Sequence, residues 1–259
     1  MDKRFWGAIA VIAVVFVGIV IVNNKNDAST ANASATSHYQ GQNKQDVTLV
    51  EYGDFQCPVC LAYYPIVKAV SVKYDTDIRF QFRHFPLQSA HKNAFAASRA
   101  AEAANKQGKF WEMYDKLYQN QDPDGKQGWV ASDDPLNNFF VSFARDAGVA
   151  NIDQFKTDFA SEEARDIVNA DLKAGNDLKV TGTPSFFLDG KQIKLEELTD
   201  ETGRPSEEKF SKLIDKAIKD KGGTTSVDPT KPATTEDESL QGDVNPDSNL
   251  ESTKPDGGQ

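Results

Sequence analysis

Two cysteines three positions apart, Cys57 and Cys60, constrain the fold more than any other feature of this chain, which has no further cysteine. The β-branched run at residues 47–52 predicts a strand just before them. Pro58, between them, suits the first position of a helix, because an N–H there would be unpaired in any case. The pair is therefore expected where a strand turns into a helix, in a fold that contains both.

The two thiols are expected to differ in acidity. Cys57 would lie at the N-terminus of the helix, where backbone N–H groups and the helix dipole can lower a thiol pKa from about 8.5 to roughly 3.5–7.5. Cys60 would lie one turn further in and more buried. Since the thiolate is both the nucleophile and the better leaving group in thiol–disulfide exchange, Cys57 is predicted to attack a partner and Cys60 to resolve the mixed disulfide.

Other interpretations of the pair stay open. The pair could be half of a zinc site, but a complete site would usually require a second Cys/His pair. The three histidines, His38, His84 and His91, show no ligand spacing, so no metal is predicted. An inert structural disulfide is the second alternative. A secreted scaffold held together by disulfides is excluded, because it would need more cysteines placed far apart in sequence.

The middle of the chain predicts a β-α-β unit, a helical block and a β-β-α unit. Alternating apolar residues predict a second strand at 78–83, and Asp189-Gly190 is a strong hairpin signal. Pro65 should kink the first helix, which is expected to end near Lys73. The remaining predicted elements are helices at 91–107, 110–118, 135–147, 152–159 and 161–178, strands at 185–188 and 192–195, and a last helix from Ser206.

The two ends differ from this middle part. Residues 5–22 form an unbroken run of apolar residues and glycines after Lys3 and Arg4, which predicts a membrane-spanning helix with the N-terminus in the cytoplasm. A signal peptide cleaved near residues 31–33 and a buried globular helix are the alternatives. From residue 222 onward the chain has almost no large apolar residue, so a disordered acidic tail is predicted.

The charge balance excludes one class of function. Lysine and arginine together number 29 against 39 aspartates and glutamates, which gives a formal net charge of −10. Nucleic-acid binding normally needs a basic face, and none is visible in this sequence. No nucleic-acid partner is therefore expected.

Four segments, in the right order, resemble the DsbA-like branch of the thioredoxin superfamily. They are residues 51–60 (EYGDFQCPVC), 83–87 (RHFPL), 108–111 (GKFW) and 181–186 (TGTPSF). The resemblance implies an α/β thioredoxin fold with an inserted α-helical domain. Together with the ends, it gives an N-terminal membrane anchor or signal peptide at 1–24, a polar linker at 25–45, a thioredoxin-fold domain at 46–86 and 179–221, the helical domain at 87–178 and the tail at 222–259.

The resemblance also implies roles for residues outside the cysteine pair. Thr183 and Pro184 match the family's cis-proline loop beside the cysteines, which receives the substrate peptide by strand-like backbone contacts. Glu51 matches the family's buried acid beneath the second cysteine, where it would relay the proton of Cys60. A surface glutamate at a strand end is the alternative for Glu51.

Phe55, Pro58 and Val59 border the motif and are further candidates for substrate contact, whereas His84 and Trp111 are expected to be structural. Many strongly oxidising members of the family have histidine where this chain has Val59. A valine side chain offers neither charge nor hydrogen bond to the thiolate. The disulfide is therefore expected to be less oxidising than in the histidine-containing relatives.

These features predict an extracytoplasmic enzyme, anchored in the cell membrane, that oxidises the thiols of reduced secreted proteins by transferring the Cys57–Cys60 disulfide. It would be a monomer without a cofactor, and the resemblance implies that a quinone-linked membrane oxidant reoxidises its cysteines. Three alternatives stay open: a reductase or isomerase of the same fold, a non-enzymatic anchored peptide-binding module whose cysteines are structural, and a metal-delivery protein.

Overall fold

The computed structural model describes residues 34–122 and 124–227. Its strands are β1 (His38–Gln40), β2 (Val47–Gly53), β3 (Ile78–His84), β4 (Ser185–Leu188) and β5 (Lys191–Ile193). Its helices are α1 (Pro58–Lys73), α2 (Ala94–Asn105), α3 (Phe110–Gln119), α4 (Gly128–Ala131), α5 (Val141–Asp146), α6 (Ile152–Ala160), α7 (Glu162–Asp177) and α8 (Glu207–Asp220), with a π-helical turn at Leu136–Phe140 and a 3-10 turn at Leu195–Glu197.

The strands form one mixed sheet in the order β1-β3-β2-β4-β5. β2 and β3 are parallel, and α1 supplies the crossover that parallel neighbours need. β1 pairs antiparallel with β3, β4 pairs antiparallel with β2, and the predicted turn at Asp189-Gly190 joins β4 to β5. The β-α-β and β-β-α units of the predicted thioredoxin fold are confirmed, and the central strand β2 leads directly into the cysteines.

The core lies between this sheet and the helices that cover it. Val67 and Val70 of α1 and Phe80 and Phe82 of β3 are buried together there. Pro65 lies inside α1. The alanine-rich α2 buries small side chains, and it contacts α3, α6 and α7. The helices between β3 and β4 therefore form a packed layer of their own beside the sheet.

The prediction of a polar linker at residues 25–45 is wrong in part, because β1 lies within that range. Two buried acids hold the segment in place. Thr36 donates its N–H and its hydroxyl to the carboxylate oxygens of Asp171, at 2.7 and 2.6 Å. His38 Nε2 lies 2.6 Å from an oxygen of Glu102. A three-residue polar strand has no periodic signal, so these distant acids could not be identified from the local sequence.

Most predicted helices are confirmed within a few residues, and Ser161 and Ser206 cap α7 and α8 with hydroxyl oxygens that accept backbone N–H bonds. The predicted helix at 135–147 differs, because its first turn is π-helical and only α5 is regular. The four-residue α4 was not predicted and is too short for a periodic signal. Trp129 fixes it by donating its indole N–H to the carbonyl of Leu117 at 3.2 Å.

The predicted anchor at residues 5–22 and most of the predicted tail lie outside the described residues. Within the described ranges, no helix has both the length and the apolar character needed to cross a membrane. The predicted start of the tail at residue 222 is wrong, because residues after it contact the folded part. The Thr225 hydroxyl and the Ser226 N–H donate to the buried Asp77 at 3.0 and 2.8 Å, and Val227 packs against the core. The ordered domain thus extends beyond its predicted end.

Candidate active site

The turn at residues 54–57, here the cysteine turn, connects β2 to α1. Cys57 is the N-cap of α1, with an extended backbone (φ −73°, ψ 122°), and Pro58 opens the helix. The Cys57 N–H donates to the carbonyl of Asp54 at 3.1 Å. Both thiols are free; Cys57 is 5% exposed and Cys60 is fully buried. The predicted placement of the pair between strand and helix is confirmed.

Cys57 is the more acidic of the two thiols. A hydrogen bond from the Cys60 thiol, together with the N–H groups of Cys60 and Val59 at the helix N-terminus, lowers the pKa of Cys57 to about 6, although burial opposes this. Burial raises the pKa of Cys60 well above its usual value, and its bond to Cys57 adds to the effect. At neutral pH Cys57 is therefore mainly a thiolate and Cys60 a thiol, a division that suits exchange chemistry.

Glu51 of β2 is buried close to this pair, with 1% of its surface exposed. Burial, and then the charge of Cys57, raise the pKa of Glu51 to about 8, so its carboxyl is largely protonated at pH 7. The charge of Glu51 in turn contributes to the raised pKa of Cys60. The alternative of a surface glutamate is therefore wrong, and a protonated carboxyl lies near the buried thiol.

The loop before β4 faces the cysteines from the other side. The peptide bond between Thr183 and Pro184 is cis, as the resemblance implied. Sγ of Cys57 lies 3.4 Å from the carbonyl oxygen of Thr183. Beside this contact lies a groove of about 590 Å³, lined by residues 181–185 and 192–196. The groove runs along β5, an edge strand of the sheet in the described part of the chain.

The three residues predicted to border the motif have different environments. Val59 is 45% exposed, and Pro58 is also exposed. Phe55 is completely buried, with its ring stacked on Phe82 and tilted against Tyr118, both at centroid distances of 5.1 Å. The predicted substrate contact of Phe55 is therefore wrong, because packing in the aromatic core buries its large apolar ring.

Hydrogen bonds between the cysteine turn and the residues of the helical layer hold the turn in place. Gln121 donates its amide to the carbonyls of Phe55 and Cys57, at 2.6 and 3.3 Å. The side-chain oxygen of Gln56 accepts from the N–H of Asn93 at 2.8 Å. Sequence reasoning missed these residues, because isolated amides between helices have no spacing that would indicate their partners.

Two of the histidines meet at one buried carboxylate. His38 and His84 place Nε2 at 2.6 and 2.7 Å from the same oxygen of Glu102. Burial opposes the ionisation of Glu102, but the two hydrogen bonds outweigh it and lower the pKa to about 2. Three potential metal ligands thus converge where the sequence showed no ligand spacing. Their mutual hydrogen bonds satisfy these atoms without an ion and connect β1, β3 and α2.

Comparison with known proteins identifies the family. The family model described as Thioredoxin matches residues 33–216. A probable disulfide bond formation protein D from Bacillus cereus is 29% identical over 219 residues, which cover 82% of this chain and 94% of that protein. The Na⁺/H⁺ antiporter NhaA 1 of Mycolicibacterium gilvum is 34% identical over 157 residues, which cover 60% of this chain and 24% of the antiporter. The chain thus spans about a quarter of the length of this curated relative.

Solved structures share the fold. BdbD from Bacillus subtilis, in its oxidised form, matches with a TM-score of 0.58 at 21% identity, over 72% of this chain and 98% of BdbD. The α-DsbA1 of Wolbachia pipientis matches with a TM-score of 0.53 at 23% identity, over 71% of this chain and 91% of that one. The chain therefore belongs to the thioredoxin family, and its fold resembles those of BdbD and α-DsbA1.

Proposed function

We propose that the chain is an extracytoplasmic enzyme that oxidises the thiols of reduced secreted proteins by transferring a Cys57–Cys60 disulfide to them. The observation that carries the proposal is the placement of two thiols in one helical turn, with Cys57 at the helix N-terminus and Cys60 fully buried, which makes Cys57 the more acidic. A thiolate that is stable on Cys57 stabilises the reduced enzyme, and this favours passing the disulfide on. The name of the Bacillus cereus relative, a probable disulfide bond formation protein, agrees with this direction.

The proposed transfer has two exchange steps. A substrate thiolate attacks Sγ of Cys57, the more exposed sulfur; the enzyme's S–S bond breaks and Cys60 leaves as a thiolate. Glu51, protonated at neutral pH, gives Cys60 a proton. A second substrate thiolate then attacks the substrate sulfur that is bonded to Cys57. The substrate disulfide forms, and the Cys57 sulfur leaves as a stable thiolate. The substrate loses two electrons and gains a disulfide, and the enzyme's disulfide becomes a dithiol.

The groove beside the cis-proline loop is the proposed place for the substrate chain. Thr183 and Pro184 border it, and the carbonyl of Thr183 already contacts Cys57. An extended peptide there would use main-chain hydrogen bonds, which tolerate many sequences. The exposed Pro58 and Val59 would contact the substrate from the helix side.

Reoxidation of the dithiol is assigned to a quinone-linked membrane oxidant. The Cys57 thiolate attacks the oxidant's disulfide and displaces one of its sulfurs as a thiolate. Cys60 then attacks Sγ of Cys57 and displaces the other, while the ionised form of Glu51 accepts the proton of Cys60. A membrane anchor at residues 5–22 would keep the enzyme near this oxidant. The start of β1 pairs with Phe82, near the C-terminal end of β3. The chain thus enters the fold at the end of the sheet that carries Cys57, which supports a tether on this side.

Oxidative refolding of reduced ribonuclease A tests the proposal. The oxidised wild type should accelerate refolding, and Cys57→Ala should abolish the acceleration while thermal unfolding shows an intact fold. Val72→Ala, an exposed change on the same helix, is the matched control and should keep full activity. Unchanged activity of Cys57→Ala would exclude an enzymatic role for the pair. A wild type that reduces insulin in a glutathione buffer but does not refold ribonuclease would favour the reductase alternative.

A further inference from the structure

An acid–histidine pair lies beside Cys57 and has no part in the steps above. Asp54, the first residue of the cysteine turn, is fully buried. One of its carboxylate oxygens accepts from the N–H of Gln56 at 2.7 Å. The other accepts from the N–H of Leu87 at 2.8 Å and from Nδ1 of His91 at 2.7 Å. The pair thus connects the cysteine turn to the segment that follows β3.

The position of Asp54 places a negative charge near the nucleophile. Its main-chain carbonyl accepts from the Cys57 N–H and its carboxylate accepts from the Gln56 N–H, so the carboxylate belongs to the same short turn as a sulfur that is itself anionic during exchange. Like charges in a poorly solvated site disfavour each other. The side chain of Val59 supplies neither a charge nor a hydrogen bond. A cation near the turn would offset the charge of Asp54.

His91 is placed to be that cation. Its hydrogen bond to Asp54 raises the pKa of His91, and the charges of Asp54 and of a Cys57 thiolate add to this, against the effect of burial. Among the described residues these are the titratable groups that act on it, while the neighbouring Lys92 pairs with Asp133 at 3.0 Å. The interaction is mutual: the amount by which a Cys57 thiolate raises the pKa of His91 equals the amount by which a charged His91 lowers that of Cys57.

We propose that His91, held by Asp54, is a positioning residue whose positive charge stabilises the Cys57 thiolate and thereby increases the oxidising strength of the Cys57–Cys60 disulfide. A stabilised thiolate favours the reduced enzyme, so the disulfide is reduced more readily by its partners. The inference rests on the proposed function for its biological meaning. It gives His91 the electrostatic role that the side chain of Val59 cannot perform.

The direct test is His91→Asn, which keeps an amide donor near the position of Nδ1 and removes the charge. The pKa of Cys57, followed by thiolate absorbance in the ultraviolet, should rise by about one unit from about 6. At pH 7 this lowers the equilibrium constant for reduction by glutathione about fivefold. His38→Asn, which breaks a comparable contact to Glu102, is the matched control and should leave both values unchanged.

A measurement on the wild type decides the matter even if His91→Asn does not fold, and a double variant adds a further test. In the wild type, NMR should give His91 a higher pKa in the reduced protein than in the oxidised one, because only the reduced form carries the thiolate. Asp54→Asn combined with His91→Asn removes both charges, so the pKa of Cys57 should return toward the wild-type value. Equal pKa values of His91 in the two redox forms would overturn the proposal, as would a Cys57 pKa that His91→Asn leaves unchanged.

These measurements use no protein substrate. Failure of the wild type to refold ribonuclease A would therefore count against the proposed function alone. An active wild type whose Cys57 titration is insensitive to His91→Asn would count against the inference alone.

Discussion

Replacement of Glu51 by glutamine exchanges a buried carboxyl for an uncharged amide of almost the same size. In the folded protein burial raises the pKa of Glu51 to about 8, against 4.5 for an exposed glutamate. Between these pH values the unfolded chain releases the proton while the folded chain keeps it. The free energy of unfolding therefore falls by about 1.4 kcal/mol for each pH unit of increase. At pH 7 the loss is roughly 3 kcal/mol for the wild type, and glutamine does not incur it.

Urea unfolding of the reduced proteins between about pH 4.5 and about pH 8 measures this difference. Glu51→Gln should gain stability relative to the wild type as the pH rises. Glu102→Gln is the control with the opposite sign, measured below pH 4.5, because hydrogen bonds from two histidines lower the pKa of Glu102 from 4.5 to about 2 despite its burial. The ionised Glu102 stabilises the fold above its unfolded pKa, and this stability is lost as the pH falls toward 2. A difference between wild type and Glu51→Gln that stays constant with pH would refute a protonated, buried Glu51.

The same variant tests the proposed proton relay. General acid–base groups contribute roughly 10²–10⁴-fold to a step in which they move a proton. Glu51→Gln should therefore slow the resolution of a mixed disulfide by Cys60 by about 100-fold, as measured by stopped-flow mixing of the reduced enzyme with a disulfide peptide. An unchanged rate would exclude the relay while leaving the stability argument intact.

Three other outcomes follow from the geometry. Iodoacetamide should alkylate Cys57 with a pH midpoint of about 6 and leave Cys60 unmodified in the folded protein, as peptide mapping would show. Gln121→Ala should destabilise the fold by about 1–3 kcal/mol in urea unfolding, because two buried carbonyls of the cysteine turn lose their donor. Gly175→Ala should lower the free energy of unfolding by about 1–3 kcal/mol, because the added Cβ would lie 2.6 Å from the ring of Phe85; an unchanged denaturation midpoint would contradict that packing.

The parts of the fold that the sequence predicted depend on local signals. The β-branched residues before Cys57 indicate β2, and Pro58 indicates the start of α1, because each reflects the conformation of the residue itself. Asp189 and Gly190 form the predicted hairpin turn for the same reason. The parallel pairing of β2 with β3 agrees with the predicted β-α-β unit.

The parts that the sequence did not predict depend on contacts between distant segments. β1 is held by Asp171 and Glu102, which lie far away in the chain and have ordinary helical surroundings. The position of Phe55 beside the motif predicts substrate contact, but aromatic packing turns its ring inward. The pairing of His91 with Asp54 spans 37 positions, and no periodicity connects them. Such side-chain contacts are set by the completed fold rather than by neighbouring residues.

The proposed function requires that this chain donates a disulfide rather than removes one. The redox state of Cys57 and Cys60 in intact cells tests it most directly: acid quenching traps the thiols, and a maleimide that adds mass resolves the two states on a gel. In a disulfide donor, the pair should be mostly oxidised in growing cells. A pair found mostly reduced under the same conditions would contradict a disulfide donor and favour a reductase.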